Sequence, residues 1–451
     1  MNLNVSRKLP QLRIALWLLI IAEAILVFAL IDHANSFDAR KYLTLAHGLA
    51  EGFYGMPAGS SYIPEAVRPP GYPILLWMVL YVLKLPLLSV VVIHFILYLA
   101  SIYLAQRLLL LHNISPLVFL ILVLLYPFIA SYAARVQTEA VSTFLIMAIT
   151  YLLARPQPLR TSAVTAIGVM AGFAVLVRPD ILLLPFGLSA LIFFRQQAEQ
   201  QPKGKALLNA GLLVLAAGLV LTPYALHNYR VFEVLSPLPP AGAVGNSLYF
   251  ASWQWEINYD DIISIDQGQP SAHLDNIGFT REVARINTSI GVPPATIPTN
   301  PEYYPTLHLQ LLCSRIFARE ALHRIATAPG DYAKHIVVSW WRLWITAEYP
   351  ARMPLTGKIL LKLSAATACA LGLGGAVFLL VQRQSPLLKV LALILLYFPL
   401  VHCWLHTEAR YTASARPLLL LTASLLIAEI YKLYAQRKAL SGQLFLLSKM
   451  K

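Results

Sequence analysis

Charge is what this sequence has least of. Only 12% of its 451 residues are Asp, Glu, Lys or Arg, while 58% are hydrophobic. An ordinary soluble domain carries roughly 25% charge and about 45–50% apolar residues, so that class is excluded. Cysteine is nearly absent too. Three cysteines, two of them (Cys369 and Cys403) inside apolar runs, cannot build a disulfide framework or a spaced thiolate metal site. The histidines near helix ends, His227, His402 and His406, show no regular ligand spacing. The first apolar run follows Arg7 and Lys8 and has no small-residue cleavage site before DHANSFDARKY, which predicts a retained anchor rather than a signal peptide.

What is abundant is long apolar runs. Segments near 14–31, 86–106, 116–133, 138–154, 162–177, 180–194, 206–225, 360–381, 387–405 and 414–431 each approach the ~20 residues that cross a hydrocarbon core. The fold class expected is an all-α polytopic membrane protein of about ten transmembrane helices. The run 71–84 is short and ends at Lys84-Leu-Pro86, so it reads as a juxtamembrane or re-entrant helix. The expected division is an N-terminal membrane module, 1–225, with a first outer loop over 32–85; an outer loop domain, 226–358; and C-terminal membrane helices with a tail, 359–451. Within the outer domain, LLCSRIFAREALHRIAT has helical apolar spacing, and Trp340, Trp341 and Trp344 are expected at a membrane interface.

The net charge of +14 is best spent on orientation. With the N-terminus cytoplasmic, 16 of the 35 basic residues fall in or beside inside segments, Arg7, Lys8, Arg13 and Arg107 among them. The long segment between His227 and Lys358 is nearly neutral and stands outside the rule. This topology predicts a multi-pass protein of the plasma (inner) membrane with both termini cytoplasmic. The lipid bilayer is then a partner, and no nucleic acid is needed.

In that topology the remaining charges collect on the outer face, each near the end of a different span: Asp38 and Lys41; Glu65 and Arg68 in EAVRPPGYP; Arg135 and Glu139 in SYAARVQTEA; Arg178 and Asp180 in LVRPDILLLP; Glu408 and Arg410 in HTEARY. Charges at membrane level tend to mark function. A lone arginine at a helix end is more often an interface anchor; five such ends, several with an acid close by and a proline after, predict one shared site. Arginine beside a helix start is suited to phosphate, through free N–H groups, the helix dipole and a bidentate fork. Glu23, in the middle of the first span, has no assigned role.

The ordered motifs FDARKYLTLAHGLAEG, RPPGYP, YPFIASYAARVQTEA, GFAVLVRPDILLLP, LTPYALHNYRVFE and EARYTASARP together resemble the membrane glycosyltransferases of the C superfamily. They look most like the bacterial relatives of protein O-mannosyltransferases and of the aminoarabinose transferase acting on lipid A. The resemblance implies a polyprenyl-phosphate-linked sugar as donor, hexosyl or pentosyl transfer by inverting single displacement on the extracytoplasmic face, and a cell-envelope acceptor. It implies that Asp38 is the catalytic acid position, that Lys41 and Tyr42 match the basic-Tyr pair after it, and that Arg68 binds donor phosphate. Arg178, Arg410 and Arg135 join that phosphate set, with Glu65, Glu139, Asp180, Asn228 and Glu408 as further candidates. Departures are Ala39 where many relatives carry Glu, Glu65 three residues before Arg68 instead of adjacent, and His227 in place of a frequent Arg. They leave a divalent metal open, and no other cofactor is expected. Other readings stand beside it, a polysaccharide polymerase or ligase of another superfamily among them. A transporter or lipid-linked sugar flippase would place polar groups at the bilayer midplane, and Asp38 could simply be the N-cap of the helix that follows it.

Overall fold

The computed structural model describes residues 3–58, 61–242, 244–257, 271–292, 306–345, 355–382 and 386–449. Much of the Pro-rich stretch GVPPATIPTNPEYYP lies outside the described residues. The chain starts with α1 (Leu3–Leu30) and α2 (Phe37–Ala50). A short hairpin, β1 (Gly55–Ala58) with β2 (Ser61–Pro64), pairs antiparallel with Gly55 opposite Pro64, so the first outer loop is not purely helical. Then come α3 (Gly71–Trp77), continued by a π-helical turn Met78–Val82, and α4 (Leu87–Leu111).

The long helices α1 and α4 are apolar on nearly all sides, and what distinguishes their faces is burial. Along α1, Leu16, Ile20, Ala24 and Phe28 are buried at four-residue spacing, while Ile14, Leu18 and Leu26 are exposed. That is the pattern of a helix with one stripe against protein and the rest facing lipid. The stripe packs mainly on the helix Leu117–Leu124, and α4 touches α1 at two points: Phe95 meets Phe28 edge-on at 5.3 Å, and Trp17 Nε1 donates to Gln106 Oε1 at 2.7 Å nearer the other end. The two helices therefore run antiparallel.

The run 116–133, expected as one span, is broken. It forms α5 (Leu117–Leu124) and α6 (Phe128–Ala133), separated at Tyr126-Pro127. Proline lacks the N–H that would continue the ladder, and at the break the Tyr126 hydroxyl accepts a hydrogen bond from Arg416 Nη1. α7 (Glu139–Ala154) and α8 (Thr161–Val177) follow, then a 3₁₀ turn Pro179–Ile181, α9 (Leu184–Ala198) and α10 (Lys203–Phe232). Gly168 and Gly172, one turn apart on α8, let α10 approach so closely that a Cβ would come within 2.5 and 2.7 Å of the Leu213 and Ala217 carbonyl oxygens. Small residues at four-residue spacing serve close contacts of this kind in lipid.

α11 (Val244–Trp253), α12 (Ala272–Asn276), α13 (Phe279–Ser289) and α14 (Leu307–Thr327) close a second hydrophobic core around Tyr249, Trp253, Phe279, Ile286 and Phe317. α15 (Pro329–Ile345) instead joins the main core through Leu343 and Trp344. Trp341 is exposed but Trp344 is fully buried, so the three tryptophans do not share an interfacial position. Positions three apart share a helix face, so the difference comes from what packs around Leu343 and Trp344 in the main core and not from the helix period. The chain ends with α16 (Leu355–Gln382), α17 (Pro386–His402), a 3₁₀ segment Ala409–Ala415 and α18 (Arg416–Lys449). Among the described residues, six helices are long and apolar enough to cross a membrane, and four apolar helices are shorter. The expected ten thus divide into long spans, short helices and one broken run.

Candidate functional site

The site forms where five chain segments end together. Asp38 lies in the first turn of α2, and Ser36, not Asp38, caps that helix: Ser36 Oγ accepts from Ala39 N at 3.1 Å. The N-cap alternative for Asp38 is thereby corrected. Gln137 Nε2 donates to the same Ser36 Oγ at 2.9 Å, and Val136 N donates to His33 O at 2.8 Å, which fixes the start of α2 against the turn preceding α7.

Asp38 holds one guanidinium on each oxygen. Arg68 Nη2 is 2.8 Å from Oδ1, and Arg410 Nη1 donates to Oδ2 across 372 positions of sequence. Burial alone would raise the Asp38 pKa, but Arg410 and Arg68 together outweigh it and hold the carboxyl well below the usual carboxylate range. Tyr42, one helical turn later, lies under Arg68 with its ring 4.8 Å from the guanidinium carbon. Its hydroxyl is pushed up to about 12, chiefly by burial, so it remains protonated.

The turn that delivers Arg68 is shaped by Glu65. One Glu65 oxygen accepts from Val67 N at 2.7 Å and from Arg68 N at 2.8 Å. The Arg68 carbonyl accepts the hydroxyls of Tyr54 at 2.9 Å and Tyr224 at 3.4 Å. Pro69 and Pro70 then lead into α3, where Gly71 touches the end of α8; any Cβ there would stand 2.5 Å from the Leu176 carbonyl oxygen. That approach sets the Arg68 turn beside Arg178.

Arg178 ends α8 in an extended conformation (φ −141°, ψ 110°), as a residue before proline favours. Its Nε and Nη2 grip both oxygens of Asp180 at 3.2 and 3.0 Å, and its Nη1 is 3.8 Å from Glu139 Oε1. Asp180 Oδ2 also accepts from His402 Nε2 at 2.9 Å. Glu139 Oε2 is buried with no hydrogen-bond partner, and Glu139 feels both Arg410 and Asp38. The two ion groups are one electrostatic unit.

Arg410 enters from the 3₁₀ segment before α18. Glu408 Oε2 binds its Nε at 2.5 Å, and Tyr411 stacks on His402 at 4.8 Å between ring centres. His406 Nδ1 is 3.6 Å from Glu408, yet burial, then Arg410 and Arg342, keep the His406 pKa down at about 3, so this is a contact with a neutral ring. The segment is pinned to the neighbourhood of the second core: Thr407 N donates to Gln254 Oε1 at 3.0 Å, Gln254 Nε2 returns to Thr407 O at 3.0 Å, and His406 N donates to Ser247 O at 3.0 Å.

Three other candidates have contacts of their own. Lys41 Nζ stands 5.5 Å over the Phe37 ring. Arg135 is half-buried, with its carbonyl held by His94 Nδ1 at 3.0 Å. Asn228 Nδ2 donates to Ser236 O and Leu238 O at 2.8 and 3.0 Å, where it ties down the chain leaving α10. His227 stacks on Tyr224, away from His402 and His406.

Sequence reasoning missed Arg416. It is fully buried, over the rings of Tyr126, Phe128 and Tyr132 at 5.6–5.7 Å, and its Nη2 donates to Ala409 O at 3.0 Å. A basic residue opening an apolar run after ARYTASA was the available signal.

The donor set does not fit a metal ion. Among the described residues no three His, Cys, Asp or Glu side chains converge as ligands, and guanidinium groups occupy both oxygens of Asp38 and of Asp180.

No family model matches this chain, and no curated protein does. Among solved structures it is similar to the archaeal oligosaccharyltransferase AglB from Archaeoglobus fulgidus, in complex with an inhibitory peptide and a dolichol-phosphate. That similarity has 12% identity and a TM-score of 0.46, and it covers 95% of this chain but 52% of the archaeal one, about half its length. The chain is also similar to ArnT from Cupriavidus metallidurans, bound to undecaprenyl phosphate, at 14% identity and a TM-score of 0.37, over 90% of this chain and 77% of that one. The apo state of the same ArnT gives 13% identity and a TM-score of 0.34, with 90% and 76% covered.

Proposed function

We propose that this chain is a membrane glycosyltransferase that moves a sugar from a polyprenyl-phosphate donor to a cell-envelope acceptor on the extracytoplasmic face. The observation that carries the reading is the convergence of Arg68, Arg178 and Arg410, from three distant segments, on carboxylates at one end of the bundle. A transporter would concentrate such groups at mid-depth.

In this reading the acceptor O–H attacks the anomeric carbon, the bond from that carbon to the phosphate oxygen breaks, and the phosphate leaves with the bonding pair. The acceptor proton goes to Asp38. A carboxylate gripped by two arginines is a weak base, because its pKa is far below the operating pH. An arriving phosphate offers the same guanidinium groups a better-matched bidentate partner. Arg68 and Arg410 then turn from Asp38 to the phosphate, which stabilises the departing charge and returns basicity to Asp38. Arg178, steered by Asp180 and Glu139, adds a third cation.

The test compares envelope glycolipids and glycans by mass spectrometry in a strain lacking this chain, complemented with the parent or with Asp38→Asn. Because Ser36 supplies the cap, the Asn variant should accumulate normally while transfer falls roughly 10²–10⁴-fold. Near-parental product would remove Asp38 from the mechanism. The face is tested separately by topology reporters: Gly278 should read outside, Gln200 and Gln436 inside. A cytoplasmic Gly278 would refute the extracytoplasmic assignment.

A further inference from the structure

At the end of α1 and α4 away from the ion cluster lies a cleft of about 430 Å³, lined by Arg13, Trp17 and Leu18 of α1 and by Tyr103, Gln106 and Arg107 of α4. From Arg13 to Leu30 the first helix rises roughly 26 Å, so the cleft is near the opposite surface of the bundle. Its charge is one-sided: both ionisable side chains other than tyrosine are arginines, and neither forms an ion pair or hydrogen bond among the described residues. Arg68, Arg178 and Arg410 at the ion cluster are each matched by a carboxylate, and these two, among the described residues, are not.

The walls define what could match them. Trp17 is fixed by its hydrogen bond to Gln106, which is buried at 6% exposure. Leu18 and Tyr103 stay 63% and 50% exposed on the lipid-facing side of the same helices. A ligand here would need an anionic head for two guanidinium groups and an apolar body to continue along α1 and α4. A soluble anion supplies only the first. Basic recesses between membrane helices, rimmed by Trp and Tyr, suit lipid head groups.

We infer that this cleft binds the phosphate head of an anionic glycerophospholipid of the surrounding leaflet, with Arg13 and Arg107 as its ligands. The inference stands on the α1–α4 geometry and is independent of the sugar-transfer reading.

The test is native mass spectrometry of the full chain released from detergent with phosphatidylglycerol or phosphatidylcholine. The parent should retain phosphatidylglycerol preferentially, and the R13Q/R107Q double variant should lose that preference on the order of 10-fold, as two cationic contacts near a membrane surface imply. The R13K/R107K variant should keep most of it. Should the double Gln variant fail to accumulate, R13Q and R107Q singly should each show part of the loss. Equal retention of the two lipids by the parent, or unchanged retention in the Gln variants, overturns the proposal. Displacement of phosphatidylglycerol by an equal concentration of inorganic phosphate would make the occupant a free anion and overturn the lipid assignment.

Discussion

Arg410 and Arg416 sit on one short segment, six residues apart, and the protein treats them in opposite ways. Arg410 shares two carboxylates, Asp38 and Glu408, and its side chain is 26% exposed. Arg416 is fully buried and, among the described residues, touches no carboxylate. It is held by a tyrosine hydroxyl, two carbonyl oxygens and three aromatic rings. An ion pair open to one side can exchange its partner for an incoming anion. A cation boxed in by neutral oxygens and ring faces has no such exchange, and what it does is join α6, α15 and the 3₁₀ segment that presents Arg410. The same residue type is thus a ligand at one position and a fastener at the other.

The comparison breaks most readily at the three paired arginines. Replacing Arg68, Arg178 or Arg410 by Ala should each reduce transfer by roughly 10²–10³-fold with normal protein abundance, in line with loss of one preorganised cation at a leaving group. Arg68→Lys should retain more turnover than Arg68→Ala, since a point charge survives where the fork is lost. The measurement is initial transfer rate in membranes against donor concentration. Parental donor kinetics in all three Ala variants would make them anchors like Arg416.

These partners were only half visible in the sequence. Each charged motif announced itself, because a charge beside proline at the end of an apolar run is conspicuous in a chain with so few charges. The apolar runs were legible as helices but their ends were not: α4 continues to Leu111 and α10 to Phe232, and the run 116–133 breaks at Tyr126-Pro127, which only Pro127 signalled. The pairings were not legible: nothing local to HTEARY or to FDARKY says that residues 410 and 38 meet, since that depends on how α17 and α18 return to α2. Glu65 shows the same limit. As a letter it resembled a site acid, whereas its carboxylate accepts backbone N–H groups and shapes the turn. Trp344 looked interfacial for the same reason, since composition reports a residue's type but not its face.

Removing the fastener should act on stability and not on chemistry. Arg416→Met takes away hydrogen bonds from a charged donor, each worth about 1.5–3 kcal/mol, and leaves the Ala409 and Leu343 carbonyls without that partner. Thermal unfolding in detergent should shift down by several degrees and abundance should drop. Transfer per folded molecule should stay within a few-fold of the parent. A variant of full stability that no longer transfers sugar would place Arg416 in the site and erase its difference from Arg410.

The smallest expected effect is a pH dependence in the residues that steady the Arg410 segment. His335 Nε2 donates to Leu405 O at 3.2 Å, and burial holds its pKa down at about 4; His406, one residue beyond Leu405, is held at about 3. Other charges facing His406 are Arg410, Arg342 and Glu408, and His402 lies close by. Both rings are neutral in the folded chain, while an unfolded histidine has a pKa of about 6.5. Between roughly pH 4 and 6.5 the unfolded chain therefore binds more protons, and stability falls as the pH is lowered through that window. Asp38 adds nothing there: its depressed pKa contributes stability above the unfolded carboxylate value, which is lost only at lower pH. Melting temperatures measured from pH 7.5 to 5 should decline, and His335→Gln, which keeps a donor for Leu405 O but cannot titrate, should flatten part of the decline. An identical slope in that variant would detach the acid sensitivity from this contact and leave the Arg410 segment steadied by Gln254, Ser247 and Arg416.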